Sequence, residues 1–180
     1  FGEGGTMRLF FGIPVSEEVR AFYLETLKPQ LEAEFIGKFV ETENLHITML
    51  FLGEVEKVDF LNEVKENLKA ITHFQVTVGG YGYFGRPPRV LFMDVTRGID
   101  DLTVVHDAIC RSMKIRDTRF APHVTLARIK KSPRDIDAVL ELMPHKEFSW
   151  LVPSVVLYES KLTSKGPIYT VFEEIPLKAL

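Results

Sequence analysis

Apolar residues along this chain change their spacing several times, and each change marks an element. Arg8 to Ile13 (RLFFGI) is a short run rich in strand formers, closed by Pro14. Ser16 then stands as an N-cap, with Glu17 and Glu18 placed for a first helical turn. Val19, Phe22, Tyr23, Leu27 and Leu31 recur at helical spacing and predict a helix of about four turns. His46 to Leu52 (HITMLFL) reads as a strand ended by Gly53, and Val58, Leu61, Val64 and Leu68 mark a second helix. Phe74 to Val78 reads as a strand broken by Gly79 and Gly80. Tyr81 to Pro88 (YGYFGRPP), rich in Gly, Pro and aromatics, is predicted to be a loop near mid-chain.

After that loop the order begins again. Arg89 to Val95 is a strand, Leu102, Val105, Ile109 and Met113 mark a helix, and His123 to Ile129 (HVTLARI) is a strand. Ile136, Val139 and Leu140 lie in another helix, and Val155 to Tyr158 and Tyr169 to Ile175 close the chain as strands. The two halves, residues 7–80 and 89–180, therefore repeat strand, helix, histidine-bearing strand, helix, strand. They match strongly only at HITM and HVTL, 77 residues apart. The expected fold class is α+β: one bilobal, pseudo-twofold domain over 7–180, built of duplicated β-α-β units whose mostly antiparallel sheets face a central cleft. Residues Phe1 to Thr6 (FGEGGT), ahead of Met7, are expected to be an expression leader.

Composition narrows the class. The 180 residues, 46% apolar and 26% charged, suit one soluble globular domain. No run reaches the roughly 18 apolar residues that span a bilayer. The only cysteine, Cys110, has no partner for an intrachain disulfide, so the chain is expected in a reducing cytoplasm, as a monomer, with no membrane partner. A net charge of −3 argues against a protein that coats nucleic acid nonspecifically. The charge is uneven, however. Arg111, Lys114, Arg116, Arg119, Arg128, Lys130, Lys131 and Arg134 fall in one segment opposed only by Asp117. Such a face can hold a few phosphates; a solvated surface of mixed charge reads equally well.

Side chains in a strand alternate faces, so His46 and Thr48 share one side while Ile47, Met49 and Phe51 share the other. In the second copy His123 and Thr125 share a side, opposite Val124 and Leu126. Each strand thus presents one imidazole and one hydroxyl together. The motif is short, and alone it fits a structural histidine as well as a site. Its repetition in a duplicated architecture favours a site. The pair suits phosphoryl transfer. Opening a cyclic phosphodiester needs a base for the attacking water and an acid for the departing ribose oxygen, and imidazole, with an unperturbed pKa of ~6.5, does either. The hydroxyls can donate to non-bridging oxygens. No metal or other cofactor is called for. A zinc site lacks a third ligand motif, and neither a Walker loop nor a G-x-S-x-G elbow is present. Cys110 lies on an apolar helical stripe and reads as core; His73, His106 and His145 lack a Thr two residues on and read as surface or packing histidines.

At these residues the chain resembles the 2H phosphoesterase superfamily, and within it the bacterial and archaeal RNA 2′,3′-cyclic phosphodiesterases, also called 2′-5′ RNA ligases. The resemblance runs through Arg8-Leu9-Phe10-Phe11, Asn44-Leu45-His46-Ile47-Thr48, Phe51-Leu52-Gly53-Glu54, Phe120 to Arg128 (FAPHVTLAR) and Leu157-Tyr158-Glu159-Ser160. It implies a bilobal fold with both HxTx motifs lining a cleft, and hydrolysis of a 2′,3′-cyclic phosphate to a 2′-phosphomonoester. It implies His46 as proton donor and His123 as proton acceptor, an order that the pseudosymmetry leaves open in the sequence. The substrate would be RNA with a 2′,3′-cyclic phosphate end, or a small cyclic nucleotide. Two other readings remain: 2′-5′ ligation by the same site, and a non-catalytic module that binds nucleotide phosphates. Thr48 and Thr125 are the expected phosphate ligands. Strict alternation puts Arg128 opposite His123, so it joins them only if the strand bulges or twists. Tyr81, Tyr83 and Phe84 either stack on a base or, the favoured reading, pack the seam between lobes.

Overall fold

Met7–Pro14 forms β1, and Ser16 caps α1 (Glu17–Phe22), its hydroxyl accepting from the Val19 N–H at 3.3 Å. The structure, a computed structural model, describes residues 5–180; residues 1–4 of the expected leader lie outside the described residues. The first helix is continuous but not uniform. Tyr23–Leu27 winds as a wider π-type turn before α2 (Lys28–Glu34), with the Lys28 N–H reaching back to the Tyr23 carbonyl. Pro29 explains this: it has no N–H to offer the Glu25 carbonyl, and its ring crowds that oxygen.

The remaining elements are β2 (Ile36–Phe39), β3 (His46–Val55), α3 (Leu61–Leu68), β4 (Phe74–Phe84), β5 (Val90–Arg97), α4 (Ile99–Met113), β6 (His123–Lys131), α5 (Ile136–Leu142), β7 (Phe148–Val152), β8 (Ser154–Thr163) and β9 (Gly166–Pro176). Two expected stops are not stops. β3 runs through Gly53 and β4 through Gly79 and Gly80; Gly53 and Gly80 both sit at φ 72° and are absorbed as irregularities within the strands. The expected loop from Tyr81 is therefore strand as far as Phe84, and the turn is confined to residues 85–88. The short strands β2 and β7 gave no pattern of their own.

Among the described residues the nine strands make one sheet in the order β7-β4-β5-β6-β3-β1-β8-β9, with β2 added beside β6. Its ladders are antiparallel. A pseudo-twofold passes between β6 and β3, relating β5 to β1, β4 to β8 and β7 to β9. The expected bilobal α+β architecture is thus present, with one refinement. β4 pairs β5 and β2 pairs β6, while β8 pairs β1 and carries β9, so each half of the chain places two strands in the other lobe. The lobes meet where β3 and β6 pair at Ile47 and Val124 alone, and the strands diverge on either side.

Behind this seam Ile47, Met49, Val124 and Leu126, none more than 1% exposed, join Val64 and Leu68 of α3 and Leu102, Val105 and Ile109 of α4 in one core. Each such buried side chain contributes about 1.5–3 kcal/mol. Both motif strands bulge just past the seam. Gly12 pairs Thr48 and Phe11 pairs Leu50, which leaves Met49 as an extra residue in β3. Phe92 pairs Thr125 and Leu91 pairs Ala127, which leaves Leu126 as the extra residue in β6.

The second bulge is held from the π-type turn. The Leu126 carbonyl accepts the Val40 N–H at 2.9 Å, and the buried Tyr23 hydroxyl donates to the Val40 carbonyl at 2.6 Å, with the Leu126 oxygen 3.3 Å away. Burial pushes the Tyr23 phenol above its ordinary pKa, so it stays a donor. Replacing Tyr23 by Phe strands the Val40 carbonyl without a donor. The unfolding free energy in urea should fall by about 1–3 kcal/mol, and an unchanged midpoint would show that the hydroxyl does not support the bulge.

Candidate active site

Alternation along β3 and β6 brings both motifs to one face. With Ile47 opposite Val124, His46 falls beside Thr125 and Thr48 beside His123. All four line a single cleft of about 530 Å³ between the lobes. The imidazoles are oriented alike. His46 Nδ1 donates to the Asn44 carbonyl at 2.7 Å, and His123 Nδ1 donates to the Ala121 carbonyl at 2.6 Å. A carbonyl only accepts, so each neutral ring carries its proton on Nδ1 and leaves Nε2 as a base toward the cleft. His46 Nε2 lies 2.8 Å from the Thr48 hydroxyl, which donates to it in the neutral form.

Aromatic rings wall both histidines. Phe10 lies 4.9 Å from the His46 ring, and Tyr169 meets it edge-on at 5.4 Å. Phe84 meets His123 edge-on at 5.0 Å, and Phe92 lies at 5.2 Å. Burial lowers the His46 pKa below the ordinary 6.5, the Asn44 carbonyl partly opposes this, and the nearby His123 lowers it further.

The bulges decide which further side chains enter. Past Leu126 the alternation resets, and Arg128 lines the cleft on the side of His123. Past Met49 the same reset corrects the placing of Phe51. Expected on the core side with Ile47, it is 70% exposed and lines the cleft. Of the aromatic loop, only Phe84 reaches the cleft. The Tyr81 hydroxyl bonds the Pro144 carbonyl, and Tyr81 and Tyr83 line a separate shallow cavity beside α5. Of the basic segment, Arg119 and Arg128 line the cleft, where Lys38 and Lys165 join them from distant parts of the chain.

His106 is a packing histidine with ionic partners. It is 1% exposed, bonded to Asp117 at 2.9 Å and Asp107 at 3.0 Å, and stacked on Phe120 at 4.3 Å. The His106 hydrogen bond, helped by the Arg119 N–H, holds the Asp117 carboxyl below its usual pKa. This anchors the segment from Asp117 to Ala121, whose last carbonyl orients His123. Nothing in the local pattern around His106 announced that role. Cys110 is buried, as its stripe suggested, and burial raises its thiol pKa. Among the described residues no three His, Cys, Asp or Glu side chains gather as a metal site, and no helix is long and apolar enough to cross a membrane.

The family model for the 2′-5′ RNA ligase superfamily matches residues 15–163. A Thermotoga maritima protein described as RNA 2′,3′-cyclic phosphodiesterase is 32% identical over 178 residues, covering 93% of this chain and 94% of that one. An Archaeoglobus fulgidus protein of the same description is 35% identical over 176 residues, covering 91% and 96%. The crystal structure of E. coli LigT complexed with 3′-AMP superposes with a TM-score of 0.69 at 26% identity, over 97% of this chain and 99% of that one.

The lowered pKa of His46 has a sign that can be measured. Below about pH 6.5 the unfolded chain takes a proton at this position before the folded chain does, so stability is lost as pH falls from 6.5 to the folded pKa; the loss is absent above 6.5 and complete below the folded pKa. An NMR titration of His46 should show a midpoint below the ordinary 6.5, and His46→Gln should lose less stability than the wild type on acidification. A midpoint above 6.5 contradicts the burial argument.

Proposed function

We propose that this chain, which belongs to the 2′-5′ RNA ligase superfamily, is an enzyme that hydrolyses RNA 2′,3′-cyclic phosphate ends to 2′-phosphomonoesters, with His46 and His123 as its acid and base. One observation carries the reading: two imidazoles, each fixed through Nδ1 to the carbonyl two residues before it, turn Nε2 into one cleft beside two threonines. The description of the curated relatives supports hydrolysis as the net reaction. That relative held with 3′-AMP supports a nucleotide as the occupant of the cleft. The cytoplasm suits a chain whose one thiol is unpaired and buried.

In this mechanism His123 Nε2 takes a proton from water as its oxygen attacks phosphorus. The bond from phosphorus to O3′ breaks, and His46 Nε2 gives O3′ its proton. The Thr48 and Thr125 hydroxyls donate to the non-bridging oxygens, and the Arg128 guanidinium faces the charge that builds there. Burial makes the free His46 a reluctant proton carrier. The phosphodiester anion set against Nε2 raises its pKa again, so the acid is armed by the substrate itself. Proton exchange with water resets the pair.

His46→Ala and His123→Ala should each slow turnover of a cyclic-phosphate RNA by roughly 10²–10⁴-fold, the usual worth of a positioned acid or base. The double variant should lose much less than the product of the two. An activated leaving group should rescue His46→Ala and not His123→Ala; rescue of the other variant reverses the roles, and two unimpaired single variants end the proposal. No metal takes part in these steps, so activity should survive exhaustive chelation. Activity lost in EDTA and restored by one divalent ion would overturn this chemistry.

A further inference from the structure

Resting on the cyclic phosphodiesterase reading, we infer that Lys38 and Lys165 form a second phosphate subsite, which holds the internucleotide phosphodiester next to the reacting end and makes an RNA strand a better substrate than a cyclic mononucleotide. Neither lysine was singled out by sequence pattern, and neither is part of the proton-transfer machinery. Both line the catalytic cleft. They come from opposite lobes: Lys38 lies on β2, which pairs β6, and Lys165 lies in the turn between β8 and β9, beyond β1. They nonetheless converge. The Lys38 Nζ is 3.5 Å from where a Cβ on Gly166 would stand, so its ammonium packs on the same turn that carries Lys165.

That convergence is not explained by pairing within the protein. Among the described residues neither ammonium has a carboxylate within the 4.0 Å of an ion pair, although Glu41 lines the same cleft. The Lys38 ammonium thus reaches the turn that carries Lys165 with no carboxylate to neutralise it, and a phosphate anion bound at that turn would supply the missing negative charge. The turn is also held in place. The Asn44 amide donates to the Pro167 carbonyl at 2.9 Å, so the residue whose own carbonyl orients His46 ties the hairpin over the cleft. Spacing selects the ligand. Tyr169 lies against His46, and Gly166 is three residues earlier on the same strand, about 10 Å away at ~3.3 Å per residue. A phosphate there, within reach of two long side chains, is the next one along the RNA rather than the one being opened.

The test compares a 2′,3′-cyclic mononucleotide, a dinucleotide with the same cyclic end, and that dinucleotide with an uncharged methylphosphonate linkage. For Lys38→Gln/Lys165→Gln, kcat/KM on the charged dinucleotide should fall about tenfold or more, while the mononucleotide is turned over as by wild type. The wild type should lose the same factor on the methylphosphonate. Its rate on the charged dinucleotide should also fall more steeply with salt than the variant's, by about 0.7 in log–log slope for a lost single-strand phosphate contact. Equal losses on all three substrates, or no loss on the charged dinucleotide, overturn the subsite. Calorimetric binding of the matching 2′-phosphate products gives the same comparison without turnover. If wild type hydrolysed none of the substrates, the cyclic phosphodiesterase reading would fail while binding still judged the subsite.

Discussion

The cleft depends on two strands being held side by side at one point in the middle of the sheet. Ile47 against Val124 is the whole of the register between β3 and β6. Those two side chains are also fully buried, so the seam is fixed by the core behind it and not by a long ladder. Strands pinned at one pair and free to diverge elsewhere open a cavity without giving up their faces. Period-two alternation then does the rest: with the apolar members committed to the core, both histidines and both threonines must point into the gap. The carbonyls of Asn44 and Ala121, each two residues before its histidine, set which ring nitrogen meets the ligand.

The duplication gives the two sides the same backbone, down to a bulge one residue past each threonine. Their side chains then part company. The position after the reset is Phe51 in one strand and Arg128 in the other, and both line the cleft. An aromatic on one side and a guanidinium on the other turn a near-symmetric cavity into a directional one. The buttressing is unequal as well. Asn44 is held by the β9 hairpin, whereas Ala121 follows a segment anchored by the buried His106 through Asp117 and Phe120. A nucleotide is itself lopsided, with a flat base at one end and charge at the other, and an asymmetric cleft of this kind suits it.

The two histidine strands were legible in the sequence because alternation is written in neighbouring residues. Phe51 was misplaced, and Arg128 left conditional, for one reason. A bulge is a property of the partner strand's register: the one that moves Phe51 is set against β1, and the one that moves Arg128 is set against β5 and supported by Tyr23 and Val40, far away in sequence. β2 was invisible because it is four residues long and includes Gly37, which usually weakens a strand. Its approach to β6 requires that glycine, since a Cβ there would stand 2.2 Å from the Arg128 carbonyl oxygen. Gly80 misled in the opposite direction, since positive φ serves a bulge as well as a turn. Lys38 and Lys165 could not have been linked before the hairpin was seen to fold across the cleft.

The exchange of strands between the halves has a kinetic side. β1 lies between β3 and β8, so its second edge stays unpaired until a segment some 145 residues later arrives. β4 likewise waits for both β5 and β7. Neither half of the chain can close its lobe from its own residues. As the polypeptide leaves the ribosome, an ordered β1–β3 pair would expose an apolar strand edge until β8 is made. Contacts of such long range pay their loop-closure entropy before they are rewarded, which slows folding. Completion of the β1 lobe is thereby postponed until β8 and β9 have been made, and a chain cut short before them would be left as an aggregation-prone fragment rather than a half-active enzyme.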